Sequence, residues 1–172
     1  MRKVIKVCMV AAMLLSSSTI FAQKMGRINM QELLVAMPET TEMQTKLEAF
    51  RQDLVANLET IQVEFNNKVQ EYQNAESTMT ASVRNLKEKE LQDLQARMEE
   101  FQQNAMQEMQ MKQNELLQPI ITKAQEAVKK VSQEQAYAVV YDLSVASLVY
   151  YDEATVIDIT PAVKTELGIV AQ

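Results

Sequence analysis

The chain has 172 residues, with 17 basic and 23 acidic groups, no His, no Trp, one Cys, two Gly and three Pro. That length suits one ordinary domain, and so little Gly and Pro leaves little material for loops, so long unbroken helices are expected. Without His and with a single thiol the usual catalytic triads and most zinc sites are excluded; no Gly-rich phosphate loop is present, and neither enzymatic activity nor a cofactor is expected.

Residues 1–22 read as a secretory signal peptide. Arg2, Lys3 and Lys6 form a basic start, Val7 to Leu15 a short apolar core, and Ser16 to Ala22 a small-residue stretch with cleavage expected between Ala22 and Gln23. The apolar core is too short for an ordinary membrane span, and no stop-transfer pattern follows. Cys8 lies inside that core without the small residues that lipidation wants before it. Cleavage removes the thiol and three basic groups, taking the net charge from −6 to −9. A mature chain without thiols must be stabilised by packing or association. Its charge argues against nucleic acid as a partner, and an exported, cysteine-free chain fits the periplasm.

Met25 to Asn29 is a strand candidate. Asn29 then caps a short helix, Met30 to Met37, that Pro38 stops. Thr41 followed by Gln44 resembles a capping box opening a long helix. Its apolar stripe is Leu47, Phe50, Leu54, Leu58, Ile61, Phe65, Val69 and Tyr72. The steps make an eleven-residue repeat, the signature of nearly straight or slightly right-handed helix pairing. A second stripe runs from Val83 and Leu86 through Leu94, Phe101 and Met109 to Ile120 and Val131. It has a polar gap at Lys112-Gln113, and Pro119 is expected to kink or restart it. Between the stripes, Glu76 to Ser82 is rich in hydroxyl residues that cap helices better than they continue them.

One straight helix from 41 to 135 would be about 140 Å long and would strand the β segments at opposite ends. Doubling back at 77–82 lets the stripes face each other and returns both ends to one place. The expected architecture is therefore mostly α with a small β part: a helical-hairpin (coiled-coil) arm, 40–135, on a β body made of 23–39 and 136–172. Further strands are expected at Tyr137–Leu143, Leu148–Tyr151 and Thr155–Ile159. Val139, Tyr141 and Leu143 should share one face, and Ala138, Val140 and Asp142 the other. Thr160 should be the N-cap and Pro161 the first residue of a short helix that Gly168 ends. A body of about fifty residues is near the lower limit for an independent core and has sheet edges to hide. Association of several copies through the strands is expected, at Ile28, Val139, Tyr141, Leu148, Tyr150 and Val156, the tyrosines packing in the oligomer core.

The stretches GRINMQELLVAMPE, LLQPIITKAQEAVKKVSQEQAYAVVYDL and TVIDITPAVKTEL, in this order around a Gln/Glu/Lys-rich helical pair, resemble the Skp/OmpH family of periplasmic chaperones over essentially the whole mature chain. The resemblance implies a homotrimer in which a shared β-barrel carries three helical arms. They would enclose unfolded outer-membrane proteins and prevent their aggregation without ATP. Family members known for basic surfaces are linked to anionic clients and lipopolysaccharide. At −9 this chain departs from that pattern, which argues against lipopolysaccharide and predicts weak or repulsive steering of acidic clients. Met79, Arg84 and Lys87 near the tip, and Met106 and Met111 off the packing stripe, are the client-contact candidates, with peripheral membrane contact conceivable at the tips. For Arg84 and Lys87 the competing reading is a solvated helix face, because Glu88 and Glu90 are interleaved; for the methionines it is ordinary structural use. The alternative function is a coiled-coil spacer or adaptor of the cell envelope.

Overall fold

The computed structural model describes residues 23–145 and 148–169. The expected signal peptide with Ala22 lies outside the described residues; Gln23 is the first residue inside them. In chain order the elements are β1 (Lys24–Ile28), α1 (Met30–Ala36), α2 (Pro38–Ala75), a 3-10 turn (Glu76–Thr78), α3 (Ala81–Glu134), β2 (Tyr137–Asp142), β3 (Val156–Asp158) and α4 (Thr160–Glu166).

Asn29 caps α1 as expected: its extended backbone lets the side-chain oxygen accept from Glu32 N–H at 3.0 Å. The long helix starts earlier than the Thr41 signal suggested. Pro38 is its first residue, where the missing N–H costs nothing and the fixed φ favours the first turn. Thr41 sits inside the helix, and its carbonyl accepts from the Thr45 hydroxyl.

The chain reverses where the hydroxyl-rich stretch predicted. After the 3-10 turn, Thr80 adopts extended backbone and its hydroxyl oxygen accepts from Val83 N–H at 3.4 Å, opening α3. Cross-arm pairs then run in antiparallel order. The Tyr72 hydroxyl donates to Glu88 at 2.8 Å near the tip, Arg97 lies 3.9 Å from Glu64 at mid-arm, and Lys123 pairs with Glu39 at the base. Every residue of the Leu47–Tyr72 stripe is buried or half-buried on the seam. The α3 stripe joins it from Leu91 onward; Val83 and Leu86, expected on the seam, are exposed. Beyond Tyr72, α2 offers only Gln73, Asn74 and Ala75, so nothing large and apolar is there to cover them. At the polar gap Lys112 keeps its stem half-buried and carries its ammonium to Glu115 at 3.0 Å. α3 runs unbroken through Pro119, so the expected restart does not occur. Proline removes one ladder bond, but Leu116 and Ile120 on either side stay packed. Both Pro119 and Glu115, whose carbonyl loses its donor, are exposed where water can serve.

The β part is a three-stranded sheet with β1 in the centre, parallel to both β2 and β3. The two ends of the chain thus share one sheet. Gly26 and Ile28 face the base of α3, with Val140 alongside Gly26 in register. The core there joins Ile28, Leu33, Met37, Ile120, Ala124, Val131, Ile159 and Val163. On the opposite face lie Met25 and Arg27, with Val139 and Tyr141 beside them on β2. Leu148–Tyr151 forms no strand, contrary to expectation. It belongs to the connection between β2 and β3, and Tyr151 lies against that opposite face. Its hydroxyl accepts from Arg27, whose guanidinium sits 4.9 Å from the ring centroid. Engaging the sheet through a side chain takes the place of backbone pairing.

α4 opens one residue earlier than read, at Thr160, whose N–H donates to the Asp158 carboxylate at 2.9 Å. It closes at Gly168 as expected. A φ of 71° there lets Ile169 N–H reach Lys164 O at 2.8 Å and Gly168 N–H reach Thr165 O at 3.0 Å, both bonds of a Schellman cap.

Candidate functional surface

Eleven residues make just over three helical turns, so positions eleven apart fall nearly on one line along a straight helix. In the arm these lines form two flanks, one on each side of the apolar seam. On one flank, Leu54, Val55 and Leu58 of α2 and Ala105, Met106 and Met109 of α3 border an open apolar recess of about 480 Å³, with Arg51 and Gln102 also lining it. Val55 is 53% and Met106 75% exposed, so the arm leaves this apolar surface uncovered. On the other flank, Asn57, Thr60, Arg97, Glu100 and Asn104 line a polar recess of about 320 Å³. Phe101 borders both recesses, its ring filling the seam between them.

The apolar flank continues toward the body. Leu117 lies eleven residues beyond Met106, and Thr40 eleven before Arg51. Both line a recess of about 400 Å³ at the arm's base, together with Leu34, Val35 and Ile121.

The sequence candidates do not form one cluster. Met106 lines the apolar recess. Met111, 62% exposed, is eleven residues from Glu100 and so falls on the polar flank. Met79, Arg84 and Lys87 sit at the tip, some 20 residues of helix and about 30 Å from Met106. Met79 is half-buried in the reversal. The Arg84 guanidinium donates to the Glu76 carbonyl at 3.2 Å and closes the turn. Lys87 is half-buried and donates to Glu90 at 3.0 Å, a bond that raises the lysine's pKa and lowers the carboxylate's. At the base, the hydrogen bond from Lys123 holds the Glu39 carboxyl below the ordinary carboxylate range. Val55 and Gln102 were missed because they lie beside the apolar stripe. Extending the eleven-residue spacing sideways from the stripe would have found them.

The interface candidates divide similarly. Ile28 and Val156 are buried within this chain, so their side chains are already enclosed. Val139 and Tyr150 are exposed, while Tyr141 and Leu148 are half-buried. Among the described residues no group of three or more acidic, Cys or His side chains is placed to hold a metal ion. No described helix is long and apolar enough to cross a membrane.

The chain matches the family model for outer membrane protein (OmpH-like) over residues 24–167. It is 28% identical over 152 residues to the chaperone protein Skp of Pectobacterium atrosepticum, covering 87% of this chain and 90% of that protein. Its fold is similar to a crystal structure described as an OmpH-like outer membrane chaperone of Caulobacter crescentus CB15. That likeness has a TM-score of 0.72 at 16% identity and covers 84% of this chain and 83% of the other.

Proposed function

The chain belongs to the OmpH-like family, and on that premise we propose that it is a periplasmic holdase chaperone that shields unfolded outer-membrane proteins from aggregation without ATP. The observation that carries this reading is the apolar recess at mid-arm, bordered by Val55 and Met106, which the chain itself leaves unfilled. A surface of flexible methionine and scattered aliphatic groups accepts many partners weakly. Aggregation requires apolar segments of different chains to meet; one chain held among several arms is kept from others. In the assembled protein, three copies would join through their β bodies so that the arms surround one client. Release follows when insertion and folding in the membrane offers the client a larger free-energy gain.

The test is aggregation of a urea-diluted outer-membrane β-barrel protein, followed by light scattering with one trimer per client and no nucleotide. Suppression at both low and moderate salt is expected. Undiminished scattering under both conditions rejects the chaperone reading and leaves the envelope spacer.

A further inference from the structure

Resting on the assembly of copies that the proposed function requires, we propose that Arg27 latches the connection between β2 and β3 over the open face of the sheet. The outer side of this strap, with the rim of sheet it leaves bare at Val139, is then the surface that a second copy of the chain binds.

Topology makes the strap. β2 and β3 flank β1 and both run parallel to it, so the chain has to return across β1 between the end of one and the start of the other. The contact of Tyr151 with Arg27 places that return on the open face. The strap is tied at both ends. At its start the Asp142 carboxylate accepts from Ser144 N–H at 2.9 Å and from the Ser144 hydroxyl at 2.7 Å. At its end the Asp152 carbonyl accepts from Val156 N–H at 2.9 Å, and the Asp152 carboxylate from Ala154 N–H at 3.0 Å. Just before that turn, the Tyr151 hydroxyl accepts from the Arg27 guanidinium and the ring lies over the same group.

The row beneath the latch is a poor surface for direct association. Level with Arg27, Tyr141 stands on β2 and Asp158 on β3, so a polar row with two charges crosses the three strands. Asp158 and Glu153 approach the guanidinium only to 4.0 and 3.9 Å, beyond hydrogen-bond length. Burying so loosely paired a charge directly against another body is unfavourable. Tyr151 gives the guanidinium an acceptor and an aromatic face instead. Beside it, Val149 is fully exposed and Tyr150 largely so. The strap thus replaces a charged surface with an apolar one.

The character of that outer surface points to a second copy. From Leu143 to Tyr151 the chain carries no charge, although it holds 23 acidic groups in all. Copies related by a rotation axis present the same patch near that axis, so an acidic chain that binds itself does so best where it presents no charge.

Arg27→Leu separates the two surfaces by the sign of its effect. It makes the sheet more apolar and releases the strap. Copies meeting on the Arg27 row itself would associate equally well or more tightly. With the strap as the surface, association should weaken about tenfold in sedimentation equilibrium. Arg27→Lys, which keeps the charge without the planar stack, should fall in between. Tyr150→Ser combined with Val149→Ser changes only outward side chains; it should weaken association by a similar factor with the far-ultraviolet helical signal intact, and it decides the matter if Arg27→Leu unfolds the body. A photoreactive amino acid at position 150 should join copy to copy, with or without an unfolded barrel protein present. Unchanged or tighter association of folded Arg27→Leu or of the double serine variant, or labelling from 150 that goes to the client and not to another copy, overturns the inference while aggregation suppression persists. A parent that suppresses aggregation as a monomer overturns the inference alone; one that neither associates nor suppresses overturns the proposed function with it.

Discussion

Gly26 is the tightest point of the body. A Cβ built there would lie 3.2 Å from atoms of Ile159, Tyr137 and Val140, two side chains of β2 and one at the start of α4. Glycine lets β1 lie close under both β2 and the start of α4, so packing explains it without any need for unusual backbone. A single methyl would push three neighbours by a few tenths of an ångström, partly offset by the lower entropy of the unfolded chain. A branched side chain cannot be absorbed that way. Gly26→Val is expected to destabilise the body by about 1–3 kcal/mol, with Gly26→Ala well below it. Urea unfolding of the two variants checks this, and equal midpoints for parent and Gly26→Val would show that the strand can shift to make room. Nothing in the sequence singled out this glycine, since its neighbours come from residues more than a hundred positions away.

The helical arm was the most legible element, because its causes are local. The eleven-residue stripe and the hydroxyl-rich break at 76–82 each act over a few turns, and together they specify a hairpin. The same holds for Asn29 and Gly168, whose caps depend on the next few residues. Features set by distant partners were less legible. The strand expected at 148–151 had suitable residues, but Tyr151 is drawn to Arg27 on another strand. Pro119 looked like a break and is carried through by packing across the seam. One contact at the arm's base makes a pH prediction. The Lys123 hydrogen bond lowers the Glu39 pKa, with its own backbone N–H second. The pair therefore stabilises the folded arm above the unfolded carboxyl pKa of about 4.3, and that contribution is lost as pH falls through the lower, folded value. Both side chains are partly exposed, so the effect is at most about 1 kcal/mol. Lys123→Met should cost that much near neutrality and progressively less in acid. A cost that stays constant into acid would mean that Lys123 acts through its aliphatic stem.

At the scale of the molecule, the sheet poses a problem that the proposed association of copies would solve. All-parallel sheets are ordinarily covered on both faces, and here the chain's own helices cover one. Over the other, Tyr151 shields Arg27, but Val139 remains 44% exposed and the nearby connection holds out Val149 and Tyr150, at 102% and 82%. Apolar surface gathered this way is what a site of association presents, and in the proposed trimer a body this small would gain the core it lacks by sharing it. The interface is expected to use Val139, Tyr141, Leu148 and Tyr150, while Ile28 and Val156 support it from within the chain. Replacing both Val139 and Tyr141 with Asp places two like charges on this face without touching the helical seam. The trimer should then give way to monomer in sedimentation velocity, while the far-ultraviolet helical signal is largely retained because the arm closes on itself. Aggregation suppression should fall with the trimer, since a single arm cannot surround a client. An unchanged sedimentation profile would move the interface off this face, and a trimer lost together with the helical signal would mean that the arm depends on the body for its own folding.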